Sequence, residues 1–294
     1  MILWPEQKLL HWLAREVYCG KGAIGDLGCF IGSSTLSLAT GLAAGSTVSP
    51  RPLIHSYDLF IAPDDPYTLQ RLPQDYGPGD RFRDVFEANI RPLREWIQIH
   101  DGDLREDPWH NGPIEILFVD ICKCWSTNQA VVQNFFPQLM PGHSIVVHQD
   151  FVRVWNPWIP VSMAALKDYF EVLTEEESSR VYRCVKAIPE TALQTDFRRD
   201  LDLAKKRALL EESISESANA HTVAVHKGAL AMLVFMEGDA SEARSLLDHA
   251  ISEHASDEAV QGIYRNLVQT MDYWKTGTAY EKEMEDKFES SRDT

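Results

Sequence analysis

The hydrophobic positions of the first half of the chain fall into two patterns that alternate. Short continuous apolar runs predict buried strands at residues 23–28, 53–58, 96–100, 114–120 and 144–150. Apolar residues at helical spacing predict amphipathic helices at residues 6–19, 35–42, 82–93 and 128–139. This alternation predicts an α/β fold, with a Rossmann-like, doubly wound, mostly parallel sheet and helices on both of its faces.

The pattern changes after Pro189. From about residue 195 there is no convincing strand, and helical spacing continues at residues 201–210, 223–236 and 240–254. We therefore predict a sheet domain over residues 1–192 and an all-helical C-terminal region over residues 193–294. Part of that region, around Ala231, Gly238 and Leu247, resembles one tetratricopeptide unit, which cannot bury its own apolar face. We expect these helices to pack on the sheet domain or on another subunit of a homo-oligomer.

Four carboxylates follow four of the predicted strands: Asp58, Asp103, Asp120 and Asp150. Ligands of open parallel sheets bind at the carboxyl ends of the strands, so four acids on that rim indicate a site. A Gly/Ser/Pro-rich loop precedes the second strand. Residues 61–80, rich in Pro, Asp and Gly, form a connection of the length typical of lids and binding loops.

The net charge and the cysteine content indicate which classes of partner and which cellular compartment to expect. The chain has 44 acidic and 28 basic residues and a net charge of -16, which disfavours nucleic acids and anionic membranes as partners. Five scattered cysteines are typical of reduced thiols in a cytoplasmic protein. The N-terminus does not resemble a signal peptide, and no apolar run approaches the ~20 residues that span a bilayer.

The first strand leads into a glycine loop, Asp26-Leu27-Gly28-Cys29-Phe30-Ile31-Gly32-Ser33-Ser34-Thr35. Gly28 allows a sharp turn off the strand, and Gly32 allows the next helix to approach a ligand with its N-terminal amides. The spacing resembles the acidic-x-Gly-x-x-x-Gly-x-Ser-Thr loop of class I S-adenosylmethionine-dependent methyltransferases of the macrocin O-methyltransferase type. The resemblance covers roughly residues 20–155.

That resemblance implies S-adenosylmethionine as the cofactor and assigns roles to the strand ends. Asp26 would lie near the methionyl amino group, Asp58 would bind the ribose hydroxyls, and Asp103 with Leu104 would border the adenine. The implied cofactor-binding residues are Asp26, Gly28, Phe30, Gly32, Ser34, Thr35, Asp58, Asp103, Leu104 and Asp120. Phe30 stands where many methyltransferases and dehydrogenases have a glycine, a departure that fits the macrocin type and argues against a dinucleotide with its pyrophosphate.

The acceptor side depends on a second resemblance. Asp120-Ile121-Cys122-Lys123 is similar to the Asp-x-x-Lys of catechol-type O-methyltransferases, in which Asp binds magnesium and Lys is the general base. Gln149 supplies an amide where a second metal-binding carboxylate is expected. Asp120 and Asp150 remain as a charged pair for magnesium or calcium, which prefer several oxygen ligands.

Two side chains are alternative general bases, and aromatic residues gather near them. Lys123 serves if its pKa is lowered, whereas His148 already titrates near neutral pH; a structural hydrogen bond is the alternative role of each. Aromatic side chains that could wall an acceptor, or pack in the core, are Trp125, Phe151, Trp155 and Trp158.

The predicted function is therefore methyl transfer to oxygen of a small-molecule acceptor, such as a metabolite, natural product or sugar. One alternative is a binding or scaffold protein that keeps the fold without turnover, which the departure at Gln149 motivates. The other is a nucleotide-dependent oxidoreductase, which Phe30 disfavours.

Overall fold

The computed structural model describes residues 2–45 and 53–290. Most of the predicted Gly/Ser/Pro-rich loop, residues 46–52, lies outside the described residues. None of the described helices is long and apolar enough to cross a membrane.

Seven strands form one sheet in the order β3-β2-β1-β4-β5-β7-β6. They are β1 Ala23–Leu27, β2 Ile54–Asp58, β3 Ile97–Asp101, β4 Ile114–Val119, β5 Ile145–His148, β6 Phe170–Glu176 and β7 Ser179–Cys184. The first five are parallel, and β7 runs antiparallel to both β5 and β6. The chain therefore has the predicted doubly wound, mostly parallel α/β fold.

Helices cover both faces of the sheet and continue into the C-terminal region. They are α1 Trp4–Trp12, α2 Ser33–Gly45, α3 Pro66–Leu69, α4 Arg83–Ile90, α5 Trp125–Asn134, α6 Trp158–Ala165, α7 Glu190–Leu193, α8 Leu203–Ser215, α9 Ala220–Met236, α10 Ala240–Glu253, α11 Glu258–Trp274 and α12 Gly277–Ser290. A π-helical turn, Leu13–Val17, extends α1, and short 3-10 segments follow α4, α5 and α6.

The two faces of the sheet bury separate apolar clusters. On one face, α1, α2 and α4 pack against alternate strand residues such as Ile24, Ile54 and Ile116. On the other face, α5 and α6 pack against Leu117 and Val146, and the same cluster continues through α8 to α12. The C-terminal helices therefore share a core with the sheet.

Side-chain caps explain where the C-terminal helices begin. Asp202, Asn219, Asp239 and Asp257 each accept a hydrogen bond from a backbone amide in the first turn of α8, α9, α10 and α11. Such caps satisfy amides that have no partner within the helix. Gly238, with φ +101°, lies between α9 and α10 and makes the turn that joins them.

Candidate active site

A cavity of about 570 Å³ opens at the carboxyl edge of the sheet. Residues that follow or end each of the five parallel strands line it, and the four acids Asp58, Asp103, Asp120 and Asp150 are all among them. The long connection before α4 and the C-terminal helix α12 contribute further walls. The four acids that the strand order places at this edge therefore line a single cavity large enough for a ligand.

The glycine loop bends because its backbone adopts left-handed conformations at three positions. Gly28 has φ +85°, and a Cβ there would lie 2.5 Å from the carbonyl oxygen of Asp120. Gly32 has φ +99°. Phe30, between them, has φ +46°, and its ring packs edge-on against Phe82 at 5.2 Å. Phe30 thus keeps a backbone that glycine favours while its side chain lines the cavity.

Asp26 lies beneath this loop and does not reach the cavity. Its side chain is fully buried and accepts a 2.5 Å hydrogen bond from the Thr35 hydroxyl, which joins β1 to the first turn of α2. Burial raises the pKa of Asp26 to about 7, although hydrogen bonds from Thr35 and Ser34 oppose the rise. Asp26 also accepts a 3.5 Å hydrogen bond from the Ser56 hydroxyl of β2, and Ser34 lines the cavity above it.

Asp58 ends β2 with its carboxylate at the cavity wall. Its oxygens accept hydrogen bonds of 2.8 Å from the backbone amides of Phe30 and Phe60. Burial raises the pKa of Asp58 to about 6, while these two amides act in the opposite direction. The amides fix the orientation of a carboxylate that retains lone pairs for a ligand hydroxyl.

Asp103 and Leu104 form the wall beyond β3. Asp103 pairs with Arg105 at 2.6 Å, and Arg105 also donates to the Ser126 hydroxyl at 3.1 Å. Ser126 in turn donates to Glu285 of α12 at 2.7 Å. This chain of contacts attaches the C-terminal helix to the wall that the resemblance associates with adenine.

Lys123 lies between two carboxylates at the ends of β4 and β5. Its ammonium nitrogen is 2.5 Å from Asp120 Oδ1 and 2.5 Å from Asp150 Oδ2, and Arg153 Nε is 2.8 Å from Asp150 Oδ1. Burial opposes the charged form of Lys123, but the two carboxylates outweigh it and raise its pKa. Burial raises the pKa of Asp120, whereas Lys123 and Arg153 overcome the burial of Asp150 and lower its pKa to about 2.

This arrangement does not fit a divalent metal. The ammonium of Lys123 occupies the position between Asp120 and Asp150, and no three His, Cys, Asp or Glu residues in the described part of the chain are grouped to hold a metal ion. Gln149 is buried away from the cavity and donates to the Ser178 hydroxyl at 3.0 Å. The amide at Gln149, where a metal-binding carboxylate is expected, therefore does not contribute to the cavity wall.

The two predicted bases are in different environments. Lys123 lines the cavity as a cation, whereas abstraction of a proton requires the neutral amine. His148 is buried in β5 outside the cavity lining, and burial lowers its pKa to about 4. Neither side chain is thus presented as a neutral base at the cavity wall.

Some of the predicted aromatic residues lie in the cavity wall, and others pack against neighbouring side chains in the core. Trp155 and Trp158 line the cavity. Trp125 packs against Trp158 with ring centroids 6.0 Å apart, and Phe151 packs against His226 of α9 at 5.0 Å.

The structure adds lining residues that the sequence analysis did not name. Six come from the long connection, and Tyr67, Thr68 and Arg71 are among them, so this segment forms part of the cavity, as the prediction of a binding loop implies. Two come from α12, Tyr280 and Met284. No sequence motif marks α12, because its contribution depends on contacts with residues more than a hundred positions earlier in the chain.

Comparison with known proteins gives only distant structural relatives. No family model matches the chain, and no curated protein sequence matches it. The fold is similar to that of the O-methyltransferase NovP, with 13% identity over 62% of this chain and 80% of NovP, at a TM-score of 0.49. It is also similar to CalS11, a calicheamicin methyltransferase (18% identity, 60% and 77% coverage, TM-score 0.43). A third is the S-adenosylhomocysteine-bound Podospora anserina methyltransferase PaMTH1 (15% identity, 63% and 80% coverage, TM-score 0.42). Identities this low transfer none of these activities to this chain.

Proposed function

We propose that this protein is an S-adenosylmethionine-dependent methyltransferase that acts on oxygen of a small-molecule acceptor, such as a metabolite, natural product or sugar. The observation that carries the proposal is the joint lining of one cavity by the glycine loop after β1 and by Asp58, Asp103 and Asp120. These positions occur in the strand order that the sequence resemblance implies. When bound, S-adenosylmethionine supplies an electrophilic methyl group on a sulfonium.

The wall on the β2 and β3 side suits the nucleoside. We assign the ribose hydroxyls to Asp58, whose carboxylate is oriented by the amides of Phe30 and Phe60. The adenine is assigned to the apolar side chain of Leu104 next to Asp103. Methyl transfer is an in-line displacement, so alignment of donor and acceptor by such fixed walls is the main contribution of the protein.

We assign proton removal from the acceptor to Asp120. Its carboxylate lines the cavity, and burial raises its pKa above the ordinary aspartate value, which strengthens it as a proton acceptor. Lys123 holds this carboxylate in place and balances its charge. Asp120→Asn is expected to lower kcat, and turnover by the unaltered enzyme is expected to survive exhaustive chelation, because the proposed base requires no metal.

Calorimetry with S-adenosylmethionine, S-adenosylhomocysteine and NAD tests the cofactor. We expect both adenosyl ligands to bind, and binding of NAD alone would favour the oxidoreductase alternative and exclude the proposal. Affinity for S-adenosylhomocysteine should increase as the pH rises through about 6, because the charged form of Asp58 accepts the ribose hydrogen bonds.

Asp58→Asn provides the residue-level test. A hydrogen bond to a charged group contributes about 1.5–3 kcal/mol, so we expect affinity for S-adenosylhomocysteine to fall roughly 10- to 100-fold. The pH dependence near 6 should also disappear. Asp64→Asn, at an exposed position of the long connection, is the matched control and should bind like the unaltered protein.

A further inference from the structure

Arg71 is a cation of the cavity wall that forms no ion pair with any described carboxylate. It follows α3 in the long connection, and its guanidinium carbon lies 4.2 Å from the centre of the Tyr67 ring. Its Nε atom is buried and has no hydrogen-bond partner among the described residues. A buried, unpaired donor is costly unless a ligand satisfies it, so this side chain points to an anion.

The other cations that line the described part of the cavity are already paired with carboxylates. Arg105 binds Asp103, and Lys123 and Arg153 bind the carboxylates of Asp120 and Asp150. These cations therefore have anions within the protein. Arg71 adds a positive charge to the wall of a protein whose net charge is -16, and no described carboxylate forms an ion pair with it.

The nucleoside is assigned to Asp58 and Leu104, which leaves Arg71 for the acceptor side of the cavity. Tyr67, on whose ring Arg71 stacks, lines the same cavity as Arg153. Arg153 contacts Asp150, which contacts Lys123. Arg71 and the charged cluster at the ends of β4 and β5 therefore line one cavity.

We propose that Arg71 binds an anionic group, a carboxylate or a phosphate, on the methyl acceptor. This inference rests on the proposed function. A guanidinium binds planar carboxylates and phosphates through paired N–H donors, and the Arg71 guanidinium stacks on the Tyr67 ring at the cavity wall. The acceptor is therefore a molecule that carries a negative charge beside the hydroxyl to be methylated.

Orthophosphate and acetate serve as probes for this anion site. Calorimetric titration of the full-length protein, with and without saturating S-adenosylhomocysteine, should show binding of at least one of the two. Arg71→Ala should weaken that binding at least tenfold, and Arg71→Lys should retain part of it. Arg81→Ala is the matched control, because Arg81 directly follows the same connection, lies outside the cavity lining and pairs with Asp101.

Two ligands distinguish the acceptor anion from the carboxylate of the cofactor. S-adenosylhomocysteine has that carboxylate, whereas 5′-methylthioadenosine lacks it. Unchanged affinity of Arg71→Ala for both supports the proposal. Weaker binding of S-adenosylhomocysteine alone would assign Arg71 to the cofactor and overturn it, as would failure of the unaltered protein to bind either anion or an equal loss in the Arg81 control.

The same measurements separate this inference from the proposed function. If the unaltered protein does not bind S-adenosylhomocysteine, the methyltransferase proposal fails, and the titrations without that ligand still report whether Arg71 binds an anion. If S-adenosylhomocysteine binds and the anion titrations show no dependence on Arg71, only the acceptor inference fails.

Discussion

At the scale of single residues, the glycine loop shows why a position can require glycine. Gly28 and Gly79 have nearly the same φ, +85° and +86°, but their surroundings differ. A Cβ at position 28 would lie 2.5 Å from a backbone oxygen, whereas a Cβ at position 79 would meet no atom within 4 Å. Substitutions at these two glycines therefore separate two contributions to the loss of stability: the left-handed backbone conformation and the steric clash of a Cβ.

Gly79→Ala is expected to lower the free energy of unfolding by about 1–2 kcal/mol, which is the cost of a left-handed alanine. Gly28→Ala should lower it further and abolish binding of S-adenosylhomocysteine, because β1 and β4 must separate to admit the methyl group. Urea denaturation and calorimetry measure the two effects. Equal effects of the two substitutions would show that close approach to Asp120 is unimportant.

A second residue-scale prediction concerns Asp26. Its folded pKa of about 7 lies above its ordinary value of 3.8, so folding favours the protonated carboxyl. The stability that this protonation contributes is complete below pH 3.8 and is lost as the pH rises through 7. Between these limits, the unaltered protein should lose up to about 1.4 kcal/mol per pH unit relative to Asp26→Asn.

Urea denaturation of both proteins between pH 4 and 8 measures this difference, in which the titration of all other groups cancels. Asp64→Asn, at an exposed position, is the matched control. A constant difference for Asp26→Asn would mean that the buried carboxyl does not titrate in this window.

At the scale of elements, α12 completes the cavity although it is distant in sequence from the other walls. Tyr280 and Met284 line the cavity, and Glu285 accepts the hydrogen bond from Ser126 and lies 3.6 Å from Arg198. The helix is thus attached to α5 and to the segment before α8. The C-terminal helical region therefore contributes side chains directly to the cavity wall.

Removal of residues 277–294 should therefore weaken binding of S-adenosylhomocysteine at least tenfold, because one wall of the cavity would be open to water. Tyr280→Ala should weaken it in the same direction by a smaller factor. Tyr273→Ala is the matched control, since Tyr273 is 77% exposed on α11. Calorimetry measures the affinities, and circular dichroism verifies that the helices remain.

The elements also show how far the sequence predicts this fold. The runs at β1 to β5 are continuous and apolar because those strands are covered on both faces, so the parallel sheet is predictable. The edge strand β6 is missed because most of its residues are exposed and three of them are glutamates. Position on the rim is predictable from strand order, but side-chain direction is not. Asp26 and Gln149 have the right strand positions, yet tertiary contacts turn both away from the cavity.

At the scale of the whole molecule, the sheet and the C-terminal helices are joined by one buried face. His226 of α9 donates to the carbonyl oxygen of Phe151 at 2.9 Å, and burial lowers its pKa to about 4, so it is neutral near pH 7. A Cβ at Gly228 would lie 2.9 Å from the Val154 side chain. The boundary predicted between residues 192 and 193 remains a prediction that unfolding experiments can test.

We expect one unfolding transition, with tryptophan fluorescence and far-ultraviolet circular dichroism coincident in urea. Gly228→Ala should lower the midpoint of both signals together, by roughly 1–3 kcal/mol in free energy, because the methyl group overfills the interface. Gly262→Ala is the control, since a helical glycine with open space should become slightly more stable as alanine. A shift of the helical signal alone would favour two independent domains.

Phe30 has a practical consequence for engineering. Its backbone already has the left-handed conformation of a glycine, so Phe30→Gly preserves the path of the loop while it removes a ring from the cavity wall. The volume of the cavity can therefore be increased without a change in the path of the loop backbone. Under the proposed function, position 30 is the place to create room for synthetic sulfonium donors that carry groups larger than methyl, and to build a variant that prefers them.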